Sequence, residues 1–181
     1  MAICDRAWVM EKFTCCTCQK PKANLVCEIC ESHLCKYCAQ FTDEETFSFL
    51  PEIPPDLRHT TYCGPCYNDK VAPALADYLK TMEAAKEIMV FDKKQGKETR
   101  LIKRLEDPIS VSDCADESET VLRLAFLAAQ KKLNAIVDVD LSSEKIKNGS
   151  FRTTKWRGTA VPCYVNPEKL LKDRALRQNP N

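Results

Sequence analysis

Little in this chain of 181 residues is in excess, and its shortages narrow the choice of function. Lys and Arg total 27 against 26 for Asp and Glu, a net charge of +1, so the overall balance gives no reason to expect a polyanion; no nucleic-acid partner is expected. Histidine is nearly absent, with only His33 and His59. A nucleophilic cysteine needs a basic neighbour to hold it as thiolate, and both histidines lie among paired cysteines, which argues against cysteine catalysis. No catalytic triad, phosphate-binding loop or paired-carboxylate motif stands out, so the chain is not expected to be an enzyme. No stretch approaches the roughly 18 consecutive apolar residues of a membrane span. The opening segment MAICDRAWVMEKF is too mixed in charge, and its apolar run too short, for an export signal. Together these predict a protein that stays in the cytoplasm, where thiols remain reduced.

Cysteine, by contrast, is abundant, with 12 residues. Eight form four C-x2-C pairs before Tyr67: Cys15/Cys18, Cys27/Cys30, Cys35/Cys38 and Cys63/Cys66. A two-residue gap lets both sulfurs of a pair reach one metal from one tight turn, and Zn²⁺ takes four such ligands in a tetrahedron. The chain therefore carries the thiolate of two zinc sites, and two Zn²⁺ per chain are expected. A secreted disulfide scaffold would want an export signal and cysteines spread through the fold. Metal would supply folding energy that so short a module cannot obtain from burial. Of the other cysteines, Cys16 sits beside a ligand and could exchange with Cys15. Cys4, Cys114 and Cys163 read as small buried hydrophobes. His59, four residues before Cys63, could replace a cysteine as ligand or be a solvated loop residue, and His33 reads as a surface residue of a tight turn.

Eight residues separate the first and second pairs, four the second and third, and 24 the third and fourth. A RING finger resembles this layout but wants a ligand His in the second pair and a shorter gap before the third, which weakens a ubiquitin-ligase reading. The pattern is similar to the FYVE-type zinc finger, whose four C-x2-C pairs include the same four-residue gap; the match extends to LCKYC at 34–38 and YCGPCY at 62–67. In that family the pairs interleave, which implies one zinc on Cys15, Cys18, Cys35 and Cys38, and the other on Cys27, Cys30, Cys63 and Cys66. The lipid site does not carry over. Members that bind phosphatidylinositol 3-phosphate use R-[RK]-H-H-C-R around the third cysteine; this chain reads ANLVCEIC, without a basic donor and with Glu28 placed to repel a phosphate. A phosphoinositide-recruited membrane adaptor is thus an alternative that lacks its motif. The segment AQFTDEETFSFLPEIPPDLRHTTY, with Pro51, Pro54 and Pro55, predicts an ordered irregular loop whose Phe41, Phe47, Phe49 and Leu50 pack inward or meet a partner.

Beyond the finger, Val71, Leu75, Leu79, Met82 and Met89 recur near helical spacing, with Pro73 in a first turn, predicting a linker helix. A strand over 87–91, an extended stretch ending at Pro108–Val111, and a helix over 117–133 follow. Val121, Leu124, Ala125, Leu127 and Ala128 give that helix an apolar face, and Asp113, Asp116 and Glu117 suit its N-terminal end. Extended segments 135–147 and 150–161 are joined by Asn148-Gly149, a signal for a type I′ hairpin. That turn sets Leu141 opposite Trp156 and Val139 opposite Gly158. It puts Val137, Val139, Leu141, Trp156 and Ala160 on one face, with Ile146 and Phe151 paired on the other as a subunit contact. Asp138 and Asp140 read as solvated.

The stretch FLAAQKKLNAIVDVDL followed by WRGTAV is similar to the bacterial YbjQ-like family, described as putative heavy-metal-binding. Its members form closed rings, usually pentamers, which implies a homo-oligomer. This domain has no His and only two lone cysteines, so no metal site is expected in it. The predicted architecture is α+β: a cross-brace double-zinc, FYVE-like module at 1–70, a linker helix at 71–87, a YbjQ-like α/β domain with an antiparallel hairpin at 88–166, and a short helix and tail at 167–181. The expected function is that of a zinc-binding interaction or scaffold protein with an unidentified protein partner. Membrane recruitment, ubiquitin ligation and metal buffering are the alternatives.

Overall fold

The computed structural model describes residues 13–95, 99–100, 102–149, 151–166 and 168; Cys4 and, apart from Glu168, the expected C-terminal helix and tail lie outside them. The chain is α+β and divides into two compact units, Met1–Tyr78 and Leu79–Asn181. Among the described residues no helix is long and apolar enough to cross a membrane.

The first unit holds two minimal antiparallel sheets, β1 (Leu25–Val26) with β2 (His33–Leu34), and β3 (Gln40–Phe41) with β4 (Thr61–Tyr62). Strands of two residues cannot bury a hydrophobic face, and the buried cluster at the centre is largely sulfur: Cys15, Cys27, Cys35 and Cys63 with Ala23 and Leu34. The proline-rich loop is ordered by turns and its neck is tied by hydrogen bonds. Thr42 Oγ1 donates to His59 O at 3.0 Å, and Tyr62 Oη donates to the same carbonyl at 2.6 Å. Of the loop aromatics Phe47 is buried, edge-on to Tyr78 at 5.4 Å between ring centres, whereas Phe41 is 59% exposed.

A short helix α1 (Gly64–Cys66) runs through a π-helical turn at Tyr67–Val71 into α2 (Ala72–Lys86), so Pro73, expected in the first turn of a helix, lies directly after that turn rather than at a free helix start. The buried positions are Val71, Tyr78 and Ala85, seven residues apart. Of the stripe expected through Val71, Leu75, Leu79 and Met82, Val71 is buried and Leu75 and Met82 are half-buried, but Leu79 is 53% exposed and Tyr78 is buried in its stead. A tyrosine ring buries a large apolar area even though its hydroxyl is polar, which lets Tyr78 serve as the core residue of this helix.

The second unit is a four-stranded sheet in the order β5-β7-β8-β6, from β5 (Met89–Asp92), β6 (Ile109–Cys114), β7 (Ala135–Asn148) and β8 (Phe151–Cys163). β5 and β7 are parallel and the other pairs antiparallel. Helix α3 (Glu117–Gln130) packs on the sheet. Its N-terminus is closed by reciprocal bonds: the Glu119 N–H donates to Asp116 Oδ1 at 2.7 Å, and Glu119 Oε2 accepts from the Ala115 N–H at 2.6 Å. Asp113, expected to serve the same helix end, instead accepts from Lys155 Nζ at 2.6 Å. The buried residues of α3 are Thr120, Leu124, Ala125, Phe126 and Ala128. Val121 and Leu127, expected on the apolar face, are only partly buried, and Phe126 takes their place.

The hairpin forms with a different register. Asn148 pairs with Phe151, so the turn falls between them and begins at Gly149; Leu141 lies opposite Gly158, and Trp156 opposite Ser143. Gly149, at φ 62°, occupies the left-handed region that the first turn position demands, which is why the turn centres one residue later than Asn148-Gly149. Ile146 consequently faces Thr153 rather than Phe151. A two-residue change in pairing keeps every side chain on its original face, so the face assignment survives in the outer hairpin. It fails further in. A bulge between Val137 and Asp140, with Asp138 at φ 54°, shifts the register by one residue. Val137 therefore joins Phe91, Ala135, Cys163 and Val165 in one buried cluster, while Leu141 lies on the face that meets α3.

Gly158 marks that crossing. A Cβ there would lie 2.7 Å from Leu141 Cδ2, 2.8 Å from Thr120 Cγ2 and 3.1 Å from Leu124 Cδ1. Gly158→Ala is expected to destabilise the second unit by about 1–3 kcal/mol through overpacking, read as a lower urea midpoint with unchanged m-value.

Candidate metal centres

Each C-x2-C pair is shaped by the same backbone bond. The N–H four residues after the first cysteine donates to that cysteine's carbonyl: Gln19 to Cys15 at 2.9 Å, Glu31 to Cys27 at 2.8 Å, Ala39 to Cys35 at 3.0 Å and Tyr67 to Cys63 at 2.9 Å. The turn so closed points both sulfurs to one side. In the first two pairs the residue completing the turn is left-handed, with φ 60° at Gln19 and 58° at Glu31, and the chain then doubles back so that the Cys15 N–H reaches Lys20 O and the Cys27 N–H reaches Ser32 O. The fourth pair is held instead at the start of α1, where Pro65 at a helix N-terminus fixes φ.

The pairs meet crosswise. Cys15, Cys18, Cys35 and Cys38 form one group and Cys27, Cys30, Cys63 and Cys66 the other, with all four ligand atoms of each group within 4.8 Å of one another. Sulfurs from different pairs approach to 3.8 Å between Cys18 and Cys35 and to 3.7 Å between Cys30 and Cys63. A tetrahedron with metal–sulfur bonds of about 2.3 Å has an edge of about 3.8 Å, so the spacing fits a metal at each centre. Each group could bind one metal ion, and both are compatible with zinc. This is the interleaved grouping that the FYVE-type resemblance implies.

Cys16 and His59 stand outside both groups. Cys16 is exposed, its sulfur 3.7 Å from Thr17 Oγ1. His59 Nδ1 lies 3.2 Å from Glu28 Oε2, and Thr60 Oγ1 donates to Glu28 Oε1 at 3.2 Å. Glu28, the acid where phosphoinositide-binding fingers carry basic residues, is thus tethered across the second group. His33 stacks on Phe13 at 3.7 Å between ring centres, so it is a packing residue rather than a simple turn residue. Cys114 and Cys163 are buried, as expected of small hydrophobes, and burial pushes the Cys163 thiol up to about 11.

In the second unit Asp138 is not simply solvated. Arg104 grips it with two nitrogens, Nη2 donating to Oδ1 at 2.8 Å and Nε to Oδ2, and this holds its carboxyl below the usual range. Asp140 accepts from Lys93 Nζ at 2.8 Å. Both partners come from the segment between β5 and β6, whose contacts no short-range pattern marks.

The thiols are unequal. The Cys15 thiol is pulled down to about 6 by the N–H groups of Cys18 and Cys35, and Cys30 to about 6 by the Ser32 hydroxyl. Cys38 is pushed up to about 12 by sharing a hydrogen with Cys18, and Cys66 is raised by burial and by Cys63. A metal must expel the protons that remain. Metal affinity is therefore expected to fall as pH falls, and to fall more steeply below about pH 6, where Cys15 and Cys30 also take up protons in the metal-free chain. Competition with a colorimetric chelator across pH checks the sign and the break.

The residues missed in the sequence are Gln19, Glu31 and Ser32, which shape the turns. Their signal was positional, directly after a C-x2-C pair. The chain matches no family model, no curated protein and no solved structure, so the FYVE-type and YbjQ-like resemblances rest on the motifs quoted above.

Proposed function

We propose that this protein is a non-catalytic interaction module whose first unit is held folded by two structural zinc ions. The observation that carries the proposal is the pair of closed, crosswise four-thiol groups. Four protein sulfurs complete a tetrahedron and leave no position for water or substrate, the arrangement of structural rather than catalytic zinc. Thiolate sulfur also favours zinc over magnesium or calcium, which prefer oxygen. The FYVE-type pattern without its basic motif favours a protein partner over a phosphoinositide. Exposed aromatics support that reading: Tyr37 is 85% and Phe41 59% exposed, with Lys36 Nζ 5.1 Å from the Tyr37 ring centre. The YbjQ-like second unit assembles the chain into a closed oligomer, and the ensemble works as a scaffold in the cytoplasm.

Native mass spectrometry of protein purified without added metal tests both parts. Two zinc ions per chain in a closed oligomer is the expected result. Fewer than two, or a disulfide-linked monomer, sinks the double-zinc assignment. Rapid exchange of the zinc for cadmium would point instead to metal buffering.

A further inference from the structure

The near-zero total charge conceals a strong local segregation. Beyond the bulge, β7 and β8 continue as a two-stranded ribbon: β5 pairs with β7 only as far as Val139, and β6 with β8 only as far as Trp156. Residues 142–147 and 152–154 are all exposed. The two arms, 142–148 and 151–157, carry five basic residues (Lys145, Lys147, Arg152, Lys155 and Arg157) and one acid, Glu144.

The register divides these between the two faces. Residues paired across antiparallel strands share a face, and faces alternate along each strand. The pairs Leu141/Gly158, Ser143/Trp156, Lys145/Thr154 and Lys147/Arg152 therefore lie on one face, the one on which α3 packs further in. Past the helix this face presents three cations and no acid, with the half-buried Trp156 at its base. Glu144, Lys155 and Ile146 are on the opposite face, where Lys155 is occupied by Asp113. Among the described residues the side chains of Lys145, Lys147 and Arg152 have no ion pair or hydrogen bond. Lys147 and Arg152 are directly opposed, an arrangement that destabilises a free hairpin.

We infer that this ribbon face is a docking surface for the phosphate backbone of a nucleic-acid duplex. A like-charge pair kept at a cost to the hairpin is relieved by a polyanion. Lys145 and Lys147 lie about 6.6 Å apart along one strand and form, with Arg152, a compact cationic stripe. A two-stranded ribbon is also narrow enough for a major groove about 12 Å wide. The geometry disfavours a bilayer, because exposed Ile146 is on the face away from the cations and cannot insert while they meet headgroups. The inference does not depend on the metal reading, since every residue it uses lies in the second unit.

Fluorescence anisotropy of the full chain with a labelled DNA duplex two helical turns long tests it. Expected is binding at low salt that weakens about 40-fold over a fourfold rise in salt, the loss from three phosphate contacts. The triple variant Lys145→Gln, Lys147→Gln, Arg152→Gln should lose this binding without any fall in Tm, since it removes repulsion and no contact. The inference is overturned if the wild type does not bind the duplex, or if the triple variant binds it equally well. Tighter binding to polyglutamate or to anionic vesicles than to the duplex overturns it too.

Discussion

Removing metal with a strong chelator at neutral pH is expected to unfold the whole first unit, not half of it. Structural zinc in small fingers contributes about 10–16 kcal/mol of apparent binding free energy, as large as the roughly 5–15 kcal/mol that holds a typical domain. Here little stands behind it. Strands of two residues and a core whose largest share is cysteine cannot hold the chain once four thiols in each group are left to repel as thiolates or to be buried as unbridged groups. Because each group draws one pair from each half of the unit, Cys18→Ser and Cys66→Ser, which strike different groups, are expected to give the same outcome. Each should lose both metals and expose Tyr62, which is fully buried. Tyrosine fluorescence and native mass spectrometry read the two consequences together. A variant that keeps one metal and a buried Tyr62 would show that the groups fold separately and that the crosswise arrangement is not cooperative.

The second large effect is expected in the other unit. Phe126→Ala removes a fully buried ring from α3 and should cost about 3–5 kcal/mol, through lost transfer energy and the cavity left behind. For a domain of about 100 residues that is a fall in Tm on the order of 15 °C or more. Leu79→Ala, at a position half exposed, should stay within about 0.5 kcal/mol. Thermal unfolding followed by circular dichroism separates the two. Equal losses at both sites would contradict the burial pattern.

These predictions also mark where the sequence was legible. C-x2-C spacing is a local signal with a strong physical cause, and the structure gathers the same eight cysteines crosswise in two groups. Element types were legible too: α2, α3 and the β7–β8 hairpin lie where periodicity put them. What periodicity could not supply was which neighbour each side chain meets. Tyr78 displaced Leu79 and Phe126 displaced Val121 and Leu127 because burial follows the shape of the surrounding elements, not hydropathy alone. The hairpin turn slid because a left-handed glycine outweighs an Asn-Gly pair at the position the pleat requires. The bulge at Asp138 left no mark in the sequence, since its left-handed residue is an aspartate held by Arg104, 34 residues earlier in the chain.

The crosswise closure of the cysteines also sets a timetable for synthesis. Neither group can be completed until Cys38 has left the ribosome, and the second must wait for Cys66, the last ligand and the residue just before the π-helical turn that leads into α2. Through that interval the emerging chain carries unpaired C-x2-C thiols that compete for metal with one another and with every other ligand in the cell. If the two groups fold only together, a stalled or truncated product ending before Cys63 has no folded form to fall back on, which makes the first unit a built-in check that translation has reached Cys66.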